Sequence, residues 1–334
     1  MPDPAIPRTR SRPPTLTRRR VLSSLGLLIG ASVMAPLLAR RSRERATRLE
    51  VGRRGLGTWI RIVVRDSDPA RARAAIADAF AAIDLVDAQM SVHRATSQLT
   101  QVNRAAGALG SPVDGAVVEV VAMACAAAQR TDGIYDPTVL PLMLAYGYYD
   151  SGRQGFPTDA AIGRALDRVG FRRVVVDRTR GTIGLECEHA GLDLGSIGKG
   201  WAVDRAADRL RAAGIQHGLV DAGGNVYAFG TPEEGADGWS VGVLHPATRQ
   251  IDRVFTLRES AVATSGNAEQ FRILSGVRVG HLFDARRGRP SDGHLSVTIQ
   301  ARNGVEADVM STVAYLLGPD RFRWPEAQAV HFIG

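Results

Sequence analysis

Lysine is nearly missing from this sequence: Lys199 is the only one among 42 basic residues, and all the others are arginine. Arginine and alanine bias of this kind follows from a GC-rich genome, so a basic position kept as lysine asks for a reason. Cysteine is almost as scarce, with Cys125 and Cys187 alone in 334 residues. That excludes a disulfide framework and any cysteine-rich metal cluster. A single pairing between the two stays open, but Cys125 lies in an alanine-rich helical run and reads as a small buried hydrophobe. The chain also lacks internal repeats and, past its first segment, low-complexity tracts.

A net charge of +8 with a pI near 10.2 suggests nucleic acid or a membrane surface as a partner. The distribution of the charge removes the main support for nucleic-acid binding by the folded part. Residues 1–54 carry 13 arginines against Asp3, Glu44 and Glu50, a net of +10, so the remaining chain is at −2. The folded part has no basic excess with which to hold a polyanion.

The basic end has the layout of an export signal. "TRRRVLSSLG" (Thr17 to Gly26) sets arginines directly before an apolar run from Val21 to Ala39, as in a twin-arginine leader, and a retained membrane anchor has the same layout. The segment has no cysteine, which excludes a lipoprotein. The expected organisation is a signal or anchor over residues 1–39, an arginine-rich linker over 40–54 and one domain over 55–334. The expected location is periplasmic or otherwise extracytoplasmic, with attachment to the inner membrane open.

Hydrophobic period and turn chemistry place the elements. "TWIRIVV" reads as a strand, and Asp68-Pro69 opens a long helix with apolar Ile76, Phe80, Ile83 and Val86 on one face. Helices follow Asp114 and Thr158, and a hairpin is expected over "RRVVVD" and "TIGLE". A helix is expected from about Trp201 to Ala213. Alternating strands then lead to a last helix, "EADVMSTVAYLLG", and a last strand, "AVHFI". Hairpins with segregated helices predict an α+β fold.

Four stretches could carry chemistry. "LDLGSIGKGWAVD" (Leu192 to Asp204) is a glycine turn running into a helix start, a natural anion site. It is not a P-loop, which needs glycine at Asp193 and a hydroxyl at Gly200, and its glycines have the wrong spacing for a dinucleotide fingerprint. A carboxylate beside a phosphate cradle calls for an intervening cation or a sugar hydroxyl, so Asp193 points to a metal–phosphate site, or else it only caps a turn. Asp308 and Thr312, at i and i+4 of a helix, put two hard oxygen donors on one face, a pair that suits Mg²⁺. In "DGIYDPTVLPL", Asp136 has two open roles, ligand acceptor or turn former. In "GHLFDARRGRP", His281 and Asp284 are candidate bases for activating a hydroxyl.

Taken in order, "QMSVHRATSQLTQVN", "DGIYDPTVLPL", "LDLGSIGKGWAVD", "LVDAGGNV", "AVATSGN", "GHLFDARRGRP" and "SVTIQARNGVEADVMST" resemble the FAD:protein FMN transferase (ApbE-like) family from about Gly55 to Gly318. The resemblance implies a single flavin transferase domain, related to the T-fold, of mixed and antiparallel sheets with packed helices. It implies Mg²⁺ as cofactor and FAD as substrate, with FMN passed through a phosphoester to a threonine or serine of a client flavoprotein subunit and AMP released. Asp308, Thr312 and Ser196 fall on metal positions. Leu56, His93, Ile134, Tyr135, Asp136, Asp193 and Lys199 fall on FAD-contacting positions, and His281 on a catalytic one, with Asp284 beside it. The family's usual aromatic is replaced by His93, its methionine by Leu56, its tyrosine after the Lys-Gly pair by Trp201, and its "DPRTG" by "DARRG". A flavin carrier without transferase activity and an FAD pyrophosphatase are the other functions such a site allows.

Overall fold

Strands β1 (Thr47–Gly55) and β2 (Thr58–Asp66) pair along their full length, Thr47 opposite Asp66 and Gly55 opposite Thr58. The structure, a computed structural model, describes residues 46–108, 110–149, 153–267, 270–291 and 293–334. The leader lies outside the described residues, as does the first part of the linker. The rest of that linker is strand: Leu49 and Val51 alternate with Arg48, Glu50 and Gly52, Arg53 follows on the face of Leu49, and the arginine charge is met at the surface, Arg48 by Glu50 and Arg53 by Asp84. Arginine content masked a period-two pattern there. Among the described residues no helix is long and apolar enough to cross a membrane.

Helix α1 (Pro69–Met90) starts where expected, Asp68 accepting the N–H groups of Ala70 and Arg71 at 2.9 and 3.1 Å. Its apolar face buries Ile76, Phe80, Ile83 and Val86, each worth roughly 1.5–3 kcal/mol of transfer free energy. Helix α2 (Gln98–Arg104), too short for a hydrophobic period to reveal, follows; strand β3 (Ser111–Pro112) leads into helix α3 (Gly115–Arg130). Helices α4 (Leu140–Ala145) and α5 (Asp159–Leu166) precede the hairpin of β4 (Val174–Asp177) and β5 (Thr182–Leu185).

Helix α6 runs Gly198–Ala212, three residues ahead of its expected start, and puts Lys199 in its first turn. Strands β6 (Gly218–Ala222), β7 (Asn225–Phe229), β8 (Trp239–Leu244), β9 (Ile251–Leu257) and β10 (Ser260–Gly266) follow. A hairpin not expected from the sequence, β11 (Phe271–Leu274) with β12 (Val277–Gly280), precedes two short strands, β13 (Phe283–Asp284) and β14 (Arg289–Pro290). Strand β15 (Ser296–Ala301), helix α7 (Gly304–Leu317) and strand β16 (Ala329–Ile333) close the chain.

The main sheet has seven strands in the order β1-β2-β6-β7-β10-β15-β16, every pair antiparallel. This is the expected α+β architecture. One sheet face packs on α1, α6 and α7 through Ile62, Val220, Ala263, Ile299, Ala206 and Val313. The β8–β9 hairpin covers the other face with Trp239, Val243, Phe255 and Leu257. A third cluster joins α4 and α5 to the β11–β12 hairpin through Met143, Ile162, Leu274 and Val279. Cys125 and Cys187 are both free thiols, and burial pushes the Cys125 thiol up to about 12.

Helices α6 and α7 cross at two glycines. A Cβ on Gly200 would lie 2.2 Å from the Gly304 carbonyl oxygen, and one on Gly304 would lie 2.5 Å from the Gly200 oxygen. Only glycine lets the two backbones approach this closely.

Candidate active site

The start of α6 receives no cap from its own N-cap residue, Ile197. The cap comes from α7: the Asp308 carboxylate accepts the Gly200 N–H at 2.8 Å. A tertiary partner therefore extends the helix back to Gly198, a contact that no local sequence signal contains. Upstream, the loop is stitched in place. The Asn103 side chain bonds the Leu192 carbonyl and N–H at 2.9 and 2.7 Å, the Asp193 N–H donates to Pro137 at 2.7 Å, and the Asp193 side chain accepts the Gly195 N–H at 2.8 Å.

These restraints build one wall of a cavity of about 460 Å³. Asp193, Ser196 and Lys199 line it from the α6 turn, Asp308 and Thr312 from α7, and His281 from the segment after β12. Six of the expected site residues, scattered over more than a hundred positions, thus meet in one space. Strand β6 adds Asp221 and the β6–β7 turn Gly223 and Gly224; β8 adds Ser240 to Leu244; β10 adds Thr264 to Gly266.

Its floor carries the hard oxygen donors Asp308, Thr312 and Ser265. Asp308 is 3% exposed, Thr312 Oγ1 lies 3.1 Å from Ser265 Oγ, and Ser311, beneath the lining, meets the same Oγ at 2.8 Å. Burial raises the Asp308 carboxyl above its ordinary value, and the Lys199 charge and the Gly200 N–H oppose that rise. Asn225 also favours the ionised form, while its own Nδ2 is buried without a hydrogen-bond partner. The Ser296 Oγ, also on the cavity wall, is buried without a partner. A buried carboxylate with lone pairs to spare beside aligned hydroxyls fits a hard divalent cation that takes its remaining ligands from phosphate and water. Among the described residues no group of three or more His, Cys, Asp or Glu side chains competes for that role.

Lys199 reaches back to the Gly195 carbonyl at 3.3 Å and supplies positive charge beside the helix N-terminus. His281 Nδ1 meets the Gln270 carbonyl at 3.0 Å, which fixes the proton there and leaves Nε2 as the basic nitrogen. Burial, reinforced by Lys199 and opposed by Gln270 and Asp193, pushes His281 down to about 4. Arg61 faces Asp221 across 3.6 Å, and burial raises that carboxyl.

The remaining expected residues lie around this cavity. Tyr135 stands behind it, its hydroxyl 3.1 Å from Ser196 Oγ, and burial raises its phenol. Asp136 is used within the fold, accepting from Thr138 N–H and Oγ and from Phe171 N–H at 2.8, 2.6 and 2.9 Å. Of its two open roles the structure displays the turn former. The Ile134 carbonyl holds the Ala285 N–H at 3.2 Å, which ties this loop to β13. Asp284 opens the β13–β14 turn, accepting the Arg286 N–H at 3.0 Å with Arg287 Nε 3.6 Å away, and it does not line the cavity. Leu56 occupies the β1–β2 turn at φ 51°, also outside the cavity lining. His93 is exposed and meets the Tyr149 ring edge-on at 5.0 Å.

Tyr149 and Asp204 escaped sequence reading. Tyr149 lines the cavity and donates its hydroxyl to Asp193; the aromatic run "AYGYY" after α4 was its one available signal. Asp204 sits at the end of the glycine-turn motif and bonds the first turn of α7.

Known proteins share this fold. The chain is 31% identical over 272 residues to the FAD:protein FMN transferase of Klebsiella pneumoniae (strain 342), covering 80% of this chain and 77% of that protein. It is 29% identical over 284 residues to the FAD:protein FMN transferase of Treponema pallidum (strain Nichols), covering 80% and 78%. The crystal structure of the ApbE protein from Thermotoga maritima superposes with a TM-score of 0.76 at 31% identity, covering 81% of this chain and 87% of that one. The flavin transferase ApbE from Vibrio cholerae shares the fold at a TM-score of 0.75 and 24% identity, covering 86% and 97%. With residues 56–330 matching the sequence profile of the ApbE family, the chain belongs to that family.

Proposed function

We propose that this protein is an FAD:protein FMN transferase: it moves FMN from FAD to a serine or threonine hydroxyl of a client protein and releases AMP. The observation that carries this reading is the meeting of Asp308, Thr312, Lys199 and His281 in one cavity. A transfer of this kind needs charge neutralisation, in-line positioning and a base, and little else from the protein.

In this reading the pyrophosphate lies against the α6 N-terminus and Lys199. Asp308 and Thr312, with the Ser196 backbone carbonyl, would hold Mg²⁺, which would supply neutralisation of phosphate charge. His281 Nε2 takes the proton of the client hydroxyl, whose oxygen bonds to the FMN phosphorus as the bond from that phosphorus to the bridging oxygen breaks. AMP leaves with the bridging oxygen. Tyr149 on the cavity wall, with His93 against its ring, offers aromatic surface for a ring of FAD.

The export-type layout of residues 17–39 supports a site of action outside the cytoplasm, and with it a client that is a flavoprotein subunit of a membrane redox complex. The test combines the purified protein with FAD, Mg²⁺ and a candidate client. Flavin fluorescence on the denatured client band and stoichiometric AMP are expected. AMP without a fluorescent band would make the protein a pyrophosphatase, and bound FAD with neither would make it a carrier.

A further inference from the structure

Helices α6 and α7 carry the same five-residue pattern, a glycine followed four residues later by an aspartate: Gly200-Trp-Ala-Val-Asp204 and Gly304-Val-Glu-Ala-Asp308. In the fold the two patterns are joined reciprocally. Asp308 on α7 accepts the Gly200 N–H of α6 at 2.8 Å, while Asp204 on α6 accepts the Gly304 and Val305 N–H groups of α7 at 2.7 and 3.0 Å. The glycines face each other at backbone contact, so neither helix can slide without breaking the other's cap. The two aspartates differ in what else they reach. Asp308 lines the cavity beside Thr312, whereas Asp204 does not line it and touches no group there.

We propose that Asp204 is a positioning residue for the cation site, acting through α7; this rests on the reading that Asp308 and Thr312 hold Mg²⁺. The Asp308 carboxylate is one turn beyond the N–H groups that Asp204 holds. With Oδ2 committed to Gly200, its Oδ1 has a fixed direction only while the start of α7 stays seated on α6. Asp204 supplies that seat with both of its oxygens. The third first-turn N–H of α7, at Glu306, goes instead to Asn303 at 2.8 Å, within α7's own end, so the two caps are separable by mutation.

The experiment compares Asp204→Asn with Asn303→Ala in the full chain, titrating Mg²⁺ alone by calorimetry and following amide hydrogen exchange at Gly200. An orienting carboxylate one step removed from a metal typically sets affinity by about 10- to 100-fold. Asp204→Asn is expected to weaken Mg²⁺ binding by about tenfold or more and to speed exchange at Gly200, a residue on the other helix. Asn303→Ala is expected to lower the melting temperature while Mg²⁺ affinity stays within about twofold of wild type, a control for loss of an ordinary cap. Wild-type Mg²⁺ affinity and unchanged Gly200 exchange in folded Asp204→Asn would overturn the proposal.

If Asp204→Asn does not fold, the wild-type protein gives the reciprocal measurement. Coupling is mutual, so Mg²⁺ must slow exchange at Gly304 and Val305, and no slowing would overturn the proposal equally. Failure of wild-type protein to bind Mg²⁺ at all would instead remove the cation reading. The Gly200 exchange comparison would then still decide whether Asp204 sets the seat of α7 on α6.

Discussion

The Tyr149 hydroxyl donates a hydrogen bond to the Asp193 carboxylate, and the same ring meets His93 edge-on at 5.0 Å. One side chain thus ties the loop after α4 to the glycine turn before α6 and to the segment after α1. Burial raises the Tyr149 phenol far above its ordinary value, so it stays a donor at every working pH. Tyr149→Phe keeps the ring against His93 and frees one Asp193 oxygen. A hydrogen bond to a charged group is worth about 1.5–3 kcal/mol, so FAD affinity is expected to fall by roughly tenfold or more. Titration of flavin fluorescence checks this, and unchanged affinity would show that Asp193 is held well enough by Gly195 and Pro137.

Asp308→Asn separates function from stability. The amide oxygen can still accept the Gly200 N–H, but the negative charge and its affinity for a divalent cation are gone. Mg²⁺ binding is expected to vanish, and transfer to fall by at least about 100-fold. The folded-state carboxyl is raised by burial, so its ionisation opposes folding above the ordinary carboxylate range. In Mg²⁺-free buffer at neutral pH the variant should therefore melt at the wild-type temperature or higher. A lower melting temperature in calorimetry would mean that Asp308 serves the fold more than the site.

What the sequence disclosed and what it hid divide by range. Asp68 as a cap, the apolar face of α1 and the Asp308–Thr312 pair are local patterns, and all three stand in the structure. The true start of α6 was hidden because its cap arrives from Asp308, 108 residues away in sequence. Asp136 and Asp284 look like ligand groups for the same reason that Asp193 does: each is a carboxylate in a turn. All three carboxylates accept hydrogen bonds within the fold, Asp136 from Thr138 and Phe171, Asp284 from Arg286 and Asp193 from Gly195 and Tyr149, and only the fold reveals that Asp193 alone of the three lines the cavity. Strand β1 was hidden by composition, since Arg48 and Arg53, long enough to reach Glu50 and Asp84, disguise an edge strand as linker.

Gly304→Ala tests the helix crossing itself. Its Cβ would sit 2.5 Å from the Gly200 oxygen and 2.6 Å from Val203 Cγ2, and backbone cannot yield as a flexible side chain does. Over-packing in a rigid core costs about 1–3 kcal/mol, and the backbone partner puts this case at the upper end. Denaturant unfolding should show a lower midpoint with an unchanged m-value. A midpoint equal to wild type would mean that α6 and α7 part without cost, contrary to the packing seen.

His281 fixes the pH behaviour. An unfolded imidazole titrates near 6.5, whereas the folded one is pushed down to about 4, chiefly by burial. Between those values the unfolded chain binds the extra proton, so this residue's contribution to stability is complete above about 6.5 and is lost as pH falls toward 4. His281→Asn should flatten that stretch of the stability curve. For catalysis the sign is the same: Nε2 stays unprotonated, and able to accept a proton, well below the ordinary histidine range. The acidic limb of the transfer rate should therefore lie nearer pH 4 than pH 6.5. Single-turnover rates of client flavinylation at saturating FAD would decide it, since a limb at 6.5 would take the role of base away from His281 as it is placed here.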